Sequence, residues 1–116
     1  MTWKIRHERF LEKLTFTNFD GGSYIVNFGA YLTPEIGGFY SVGVTLNGEI
    51  LKVEKKKVAY DDARQAVPLG IVVYCEKLIE TDVIGCVSSR LYIDEDDKRT
   101  HPSLYVSSIP TLDTRF

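Results

Sequence analysis

Asn47-Gly48 interrupts an alternating run from Phe39 to Val58 and constrains the chain more than any other feature. A two-residue hairpin turn that matches strand twist needs φ > 0 at both central residues, and Asn-Gly tolerates that best. With Asn47 and Gly48 in the turn, Leu46 faces Glu49, Thr45 faces Ile50, Val44 faces Leu51 and Val42 faces Val53. Side chains alternate across a strand, so Tyr40, Val42, Val44 and Leu46 share an apolar face with Leu51 and Val53. The other face carries Ser41, Gly43, Thr45, Lys52, Glu54 and Lys56, with Ile50 as the apolar exception. That division is the pattern of an antiparallel sheet with one wet side.

A second alternating stretch follows the turn cluster Asp20-Gly21-Gly22-Ser23. Tyr24, Val26, Phe28, Ala30 and Leu32 fall on one side, and Ser23, Ile25, Asn27, Gly29 and Tyr31 on the other, before Pro34, Gly37 and Gly38 end the strand. Elsewhere the spacing predicts helices. Trp3, Phe10, Leu11 and Leu14 recur at near-helical intervals, so residues 3–14 read as an amphipathic helix. Asp61 and Asp62 suit the start of a second helix, and Ile71, Val72, Cys75, Leu78, Ile79 and Val83 form its stripe, with Gly85 as a C-terminal cap. Against this, Ile71 to Cys75 is β-prone and Pro68-Leu69-Gly70 breaks a long helix. The helical reading is preferred over 69–83, interrupted near Pro68. Residues 86–94 read as a strand with Val87, Leu91 and Ile93 inward, Asp94 to Pro102 as a polar loop, and 103–109 as a last strand closed by Pro110. The expected fold is a single α+β domain over residues 1–116: one five-stranded, mainly antiparallel sheet with two helical segments on one face. A mostly-β, barrel-like fold is the alternative.

The chain has 116 residues and a net charge of −2, a balance that favours neither nucleic acid nor an anionic membrane. The longest unbroken apolar run, Ile71 to Cys75, is far too short to span a bilayer. Charges recur through Trp3-Lys4-Ile5-Arg6-His7-Glu8-Arg9, where a secretory signal needs an apolar stretch, so the expected location is cytoplasmic. In that reducing compartment Cys75 and Cys86 are expected to be free thiols.

Several constellations invite chemistry and fall short of it. His7, Cys75, Cys86 and His101 include no close ligand pair of the kind that builds a zinc site, so no metal or cofactor is expected. Asp94-Glu95-Asp96-Asp97 is followed by Lys98 and Arg99 instead of the glycine a calcium loop needs, and reads as a solvated loop. Lys52 to Lys57 divides its lysines between two strand faces, which suits protection of a sheet edge better than nucleic-acid recognition. The glycine-rich stretches match neither phosphate-loop nor dinucleotide patterns, and no catalytic residue is assigned. A small hydrolase or transferase using His7 or His101 is a further alternative.

The aromatic and aliphatic groups on nominally wet faces are more suggestive. Ile25, Tyr31, Ile50 and Tyr92, together with Phe116 in the tail, are candidates for a protein interface. Trp3, Tyr24, Phe28 and Tyr40 are candidates for lining an apolar ligand cavity between sheet and helix. The expected function is therefore a small, non-enzymatic cytosolic interaction module, of the kind found among phage or mobile-element accessory proteins. It would bind a protein partner or a second copy of itself as a homodimer, with binding of a small apolar ligand as the alternative.

Overall fold

A computed structural model describes residues 3–7, 14–34, 38–57 and 66–110, with side chains from Leu14 onward. Among the described residues the chain is nearly all sheet, 63% strand against 3% helix, and this overturns the α+β expectation. The strands in chain order are β1 (Trp3–His7), β2 (Ser23–Leu32), β3 (Phe39–Leu46), β4 (Glu49–Lys57), β5 (Val67–Cys75), β6 (Ile84–Ser88), β7 (Arg90–Asp94) and β8 (Ser103–Ile109). A 3₁₀ turn, Lys98–Thr100, precedes β8. The strands form two sheets, not one. The five-stranded sheet runs β1-β7-β2-β5, with β8 also paired to β2, and the three-stranded sheet runs β4-β3-β6. Among the described residues neither closes into a barrel, so the mostly-β alternative holds in its strand content and fails in its barrel-like closure.

Strand β2 is the axis of the larger sheet. It pairs along its length with β5, from Tyr24↔Cys75 to Leu32↔Val67. Its other edge takes β8 from Ser23↔Ile109 to Gly29↔Ser103, then β7 at Leu32↔Leu91. The expected division of β2 holds: Val26, Phe28, Ala30 and Leu32 are buried. Directly opposed residues share a face, so Val73, Ile71 and Leu69 of β5 join them in the core. The three-stranded sheet closes that core from the other side with Val42, Val44, Ile84 and Cys86. The layer expected to be helical is therefore a second sheet.

Both helices are corrected. Trp3–His7 is a strand paired antiparallel to β7, and residues 8–13 lie outside the described residues. Residues 67–75 of the second expected helix are strand β5; Asp61 and Asp62 also lie outside the described residues. Burial in β5 alternates strictly, with Leu69, Ile71, Val73 and Cys75 inside and Val72 and Tyr74 outside. Period two prevailed over the helical stripe because β-branched residues fit a pleated surface and β2 offers a full-length partner. Pro68 is tolerated because β5 lies at a sheet edge, where one row of amides needs no ladder partner.

The stretch 86–94 is two strands divided at Ser89. In β6 the even positions Ile84, Cys86 and Ser88 are buried, whereas in β7 Leu91 is buried and Ile93 packs against the core. The break reverses the phase, so Val87 faces outward, contrary to expectation.

The Asn47-Gly48 turn forms as expected, with φ of 52° and 85° at its two residues. Thr45 opposes Ile50 and Leu46 opposes Glu49, but a bulge between Val44 and Thr45 leaves Leu51 unpaired. Val44 therefore lies opposite Lys52 instead of Leu51, and Val42 opposite Glu54 instead of Val53. The bulge explains why Val42 and Val44 are buried while Leu51 and Val53 of β4 stay exposed. Asn47 also fastens the turn to the loop between β5 and β6. Its amide Nδ2 donates to Asp82 Oδ1 at 3.0 Å, and its Oδ1 accepts from the Val83 amide at 2.8 Å. These bonds, with the Ile79 amide on the other carboxylate oxygen, hold the Asp82 carboxyl below its ordinary range.

A candidate binding face on the five-stranded sheet

The outward positions of β5, β2 and β8 lie in cross-strand rows. Ile25 sits between Tyr74 and Ser107, Asn27 between Val72 and Tyr105, and Gly29 between Gly70 and Ser103. The first two rows gather four exposed apolar side chains: Ile25 at 37%, Val72 at 54%, Tyr74 at 56% and Tyr105 at 66%. A patch with two aromatic groups around one amide is the composition that protein interfaces favour.

The glycine row opens a groove of about 410 Å³ beside the patch. Gly29 and Gly70 form its floor, and Tyr31, Lys56, Pro68, Arg99, His101 and Ser103 contribute to its walls. A Cβ at Gly29 would come no nearer than 3.8 Å to Ser103 Oγ, and one at Gly70 no nearer than 3.6 Å to the Phe28 carbonyl. Both are ordinary contacts, so packing does not demand glycine at either position. The consequence of the two glycines is a low floor.

The loop between β7 and β8 builds one wall. The Thr100 hydroxyl accepts from the Asp94 amide at 2.9 Å and lies 2.7 Å from the Asp97 carbonyl, to which it can donate. Arg99 closes a fork on Asp97, Nε to Oδ1 at 2.9 Å and Nη2 to Oδ2 at 3.0 Å. The Arg99 side-chain bonds hold the Asp97 carboxyl below its ordinary range, while the same contact raises Arg99. His101 Nε2 lies 3.2 Å from the Asp94 carbonyl oxygen, which fits an Nε2–H donor. What reads in sequence as a solvated acidic loop thus positions Arg99 and His101 at the groove, with Lys56 approaching from β4.

A second groove, about 350 Å³, lies on the outer face of the smaller sheet among Ile50, Val53, Val87 and the serines Ser41, Ser88 and Ser89. The interface candidates are therefore divided. Ile25 belongs to the exposed patch and Tyr31 lines the first groove, whereas Ile50, 60% exposed, lines the second. Tyr92 is half-buried on β7, its hydroxyl pKa raised by burial and by the charges of Asp94 and Asp97. Phe116 lies outside the described residues.

The cavity candidates do not converge on either groove. Phe28 is a core residue, 1% exposed. Tyr24 packs edge-on to Phe19 and donates its hydroxyl to Asp20, and Tyr40 is half-buried against the core. The Trp3 side chain lies outside the described residues. Val72, Tyr74, Tyr105 and the glycine pair were missed. The signal that could have found them is the strict alternation of 67–75, which sets Pro68, Gly70, Val72 and Tyr74 on one face.

Nucleophilic chemistry finds little support in the thiols. Cys75 and Cys86 are both free and buried. Burial raises both, Cys86 to about 12, and the Cys86 thiol donates to the Leu14 carbonyl at 3.6 Å. Among the described residues no three His, Cys, Asp or Glu side chains gather as a metal site would require, and no helix is long and apolar enough to cross a membrane. Comparison of the chain with protein-family models, curated proteins and solved structures returns no match.

Proposed function

We propose that the protein is a non-enzymatic cytosolic binding module that engages a protein partner through the outer face of β5, β2 and β8. The observation that carries this reading is the exposed row arrangement of Ile25, Val72, Tyr74 and Tyr105 beside an open groove. Lys56 at the groove, beside an Arg99 already paired with Asp97, favours a partner segment that pairs an apolar anchor with an acidic side chain. The anchor would lie over the aromatic rows and the acid over the glycine floor.

The experiment is quantitative affinity capture with the native chain and with Tyr74→Glu, followed by cross-linking to locate the bound segment. Tyr74 is more than half exposed, so the variant should keep the native melting temperature. The reading expects a stoichiometric partner, cross-linked at Lys56, whose recovery falls at least about tenfold with Tyr74→Glu. Equal recovery from native and variant chains, or cross-links confined to the smaller sheet, overturns it.

A further inference from the structure

A strand at the edge of a sheet offers unpaired amides and carbonyls to any other strand, and proteins usually blunt such edges. Most of the edges here are blunted. Strand β4 carries Lys52, Glu54, Lys55, Lys56 and Lys57 and is bent by the bulge at Leu51. On β5, Pro68 lacks an amide proton and the Val72 carbonyl accepts from Lys52 Nζ at 3.3 Å. On β6, Ile84 exchanges both backbone bonds with Phe16, at 2.8 and 2.9 Å. Strand β1 has Lys4 and Arg6 in its sequence.

Strand β8 differs. Ser103-Leu104-Tyr105-Val106-Ser107-Ser108-Ile109 contains no charge, and among the described residues β2 is the strand that pairs with it. Pro102 and Pro110 bound the segment at both ends. Its core-facing Leu104 and Val106 are packed against the core yet only partly buried.

We infer that two copies of the chain join β8 to β8, antiparallel about Val106, and so continue the five-stranded sheet across a two-fold axis. An antiparallel pair of identical strands is self-complementary, as a symmetric dimer contact must be. Centring on Val106 pairs all seven residues and sets the two prolines at opposite ends, where the ladder stops. Val106 then meets its own copy and Leu104 meets Ser108 on the core side, while Tyr105 meets Ser107 outside. No charged side chain faces another within this strand pair. The inference rests on the β8 edge and not on the outer-face reading above.

Sedimentation equilibrium at about 50 µM, a concentration at which modest specific interfaces associate, tests it. The native chain should run at twice its 13.2 kDa monomer mass. Ser107→Lys and Ser107→Glu each place like charges on diagonal neighbours across the axis, within reach of long side chains. Each variant alone should weaken association at least about tenfold, and an equimolar mixture should recover the dimer. Tyr74→Glu lies on the far side of β2 and should leave the mass unchanged, so loss of partner capture and loss of the dimer are separable. A native chain at monomer mass overturns the inference and leaves the edge to a different strand. Dimers that persist in Ser107→Lys, or folded variants that fail to associate when mixed, overturn the β8 pairing.

Discussion

Gly43 and the pair Gly29–Gly70 all lie in strand interiors on outward faces, yet they do opposite things. A Cβ at Gly43 would stand 2.9 Å from Val87 Cγ2, 3.1 Å from the Lys52 carbonyl and 3.3 Å from Val53 Cγ2. Val53 and Val87 close over that position, so the glycine is needed for β4 and β6 to approach across β3. At Gly29 and Gly70 the nearest atoms leave room for a methyl group. The smaller sheet uses its glycine to bring side chains together; the larger sheet uses its pair to keep them apart. A glycine in a strand is thus informative only with its neighbours, and the open pair is the one that lines a groove.

The strongest way to break this comparison is Gly43→Ala. Overpacking against a β-branched side chain and a backbone carbonyl should destabilise the protein by about 1–3 kcal/mol, read from denaturant unfolding. A neutral result would mean that Gly43 is not a packing position and that the two classes of glycine merge. The next effect has the opposite sign. Gly29→Ala and Gly70→Ala should each stabilise by roughly 0.5–1 kcal/mol, because alanine has less freedom to lose in a strand. Each should also weaken capture of the partner by raising the groove floor. Destabilisation at either site would assign these glycines a structural role after all.

The smallest effect concerns the clamp that steadies the smaller sheet. Asp82 has a folded pKa below its ordinary value, chiefly through the Asn47 amide. Its contribution is therefore fully present above the unfolded pKa, about 3.9, and is lost as pH falls through the lower folded value. Melting temperatures of the native chain and Asp82→Asn should converge over that acidic range. Parallel profiles would show that the carboxylate does not support the turn.

Legibility in the sequence followed the range of the forces involved. The Asn47-Gly48 turn and the two faces of β2 are local, and both were readable. The bulge was not, because an extra residue in β4 becomes visible only when Val44 settles opposite Lys52. Strand β5 was hidden by coincidence: Ile71, Val72, Cys75, Leu78 and Ile79 satisfy a helical period, and Phe28 and its neighbours across the sheet decide otherwise. The face itself was half visible. Ile25 and Tyr31 follow from alternation in β2, whereas Tyr74 and Tyr105 reach it through strands distant in the chain. Arg99 and His101 reach the groove through loop hydrogen bonds that composition does not reveal.

The central place of β2 also sets the order in which the protein can be made. This strand lies in the first third of the chain, but its long-range partners are β5 and, at the far end, β8. A nascent chain that has emerged as far as the Asn47-Gly48 hairpin can form that hairpin, since its contacts are local. Val26, Phe28 and Ala30 must wait for Leu69, Ile71 and Val73, and the opposite edge of β2 from Ser23 to Gly29 stays bare until Ser103–Ile109 leaves the ribosome. A transcript broken shortly after Cys75 would yield a chain whose central strand β2 is paired on one side only, which is a substrate for aggregation or for a chaperone.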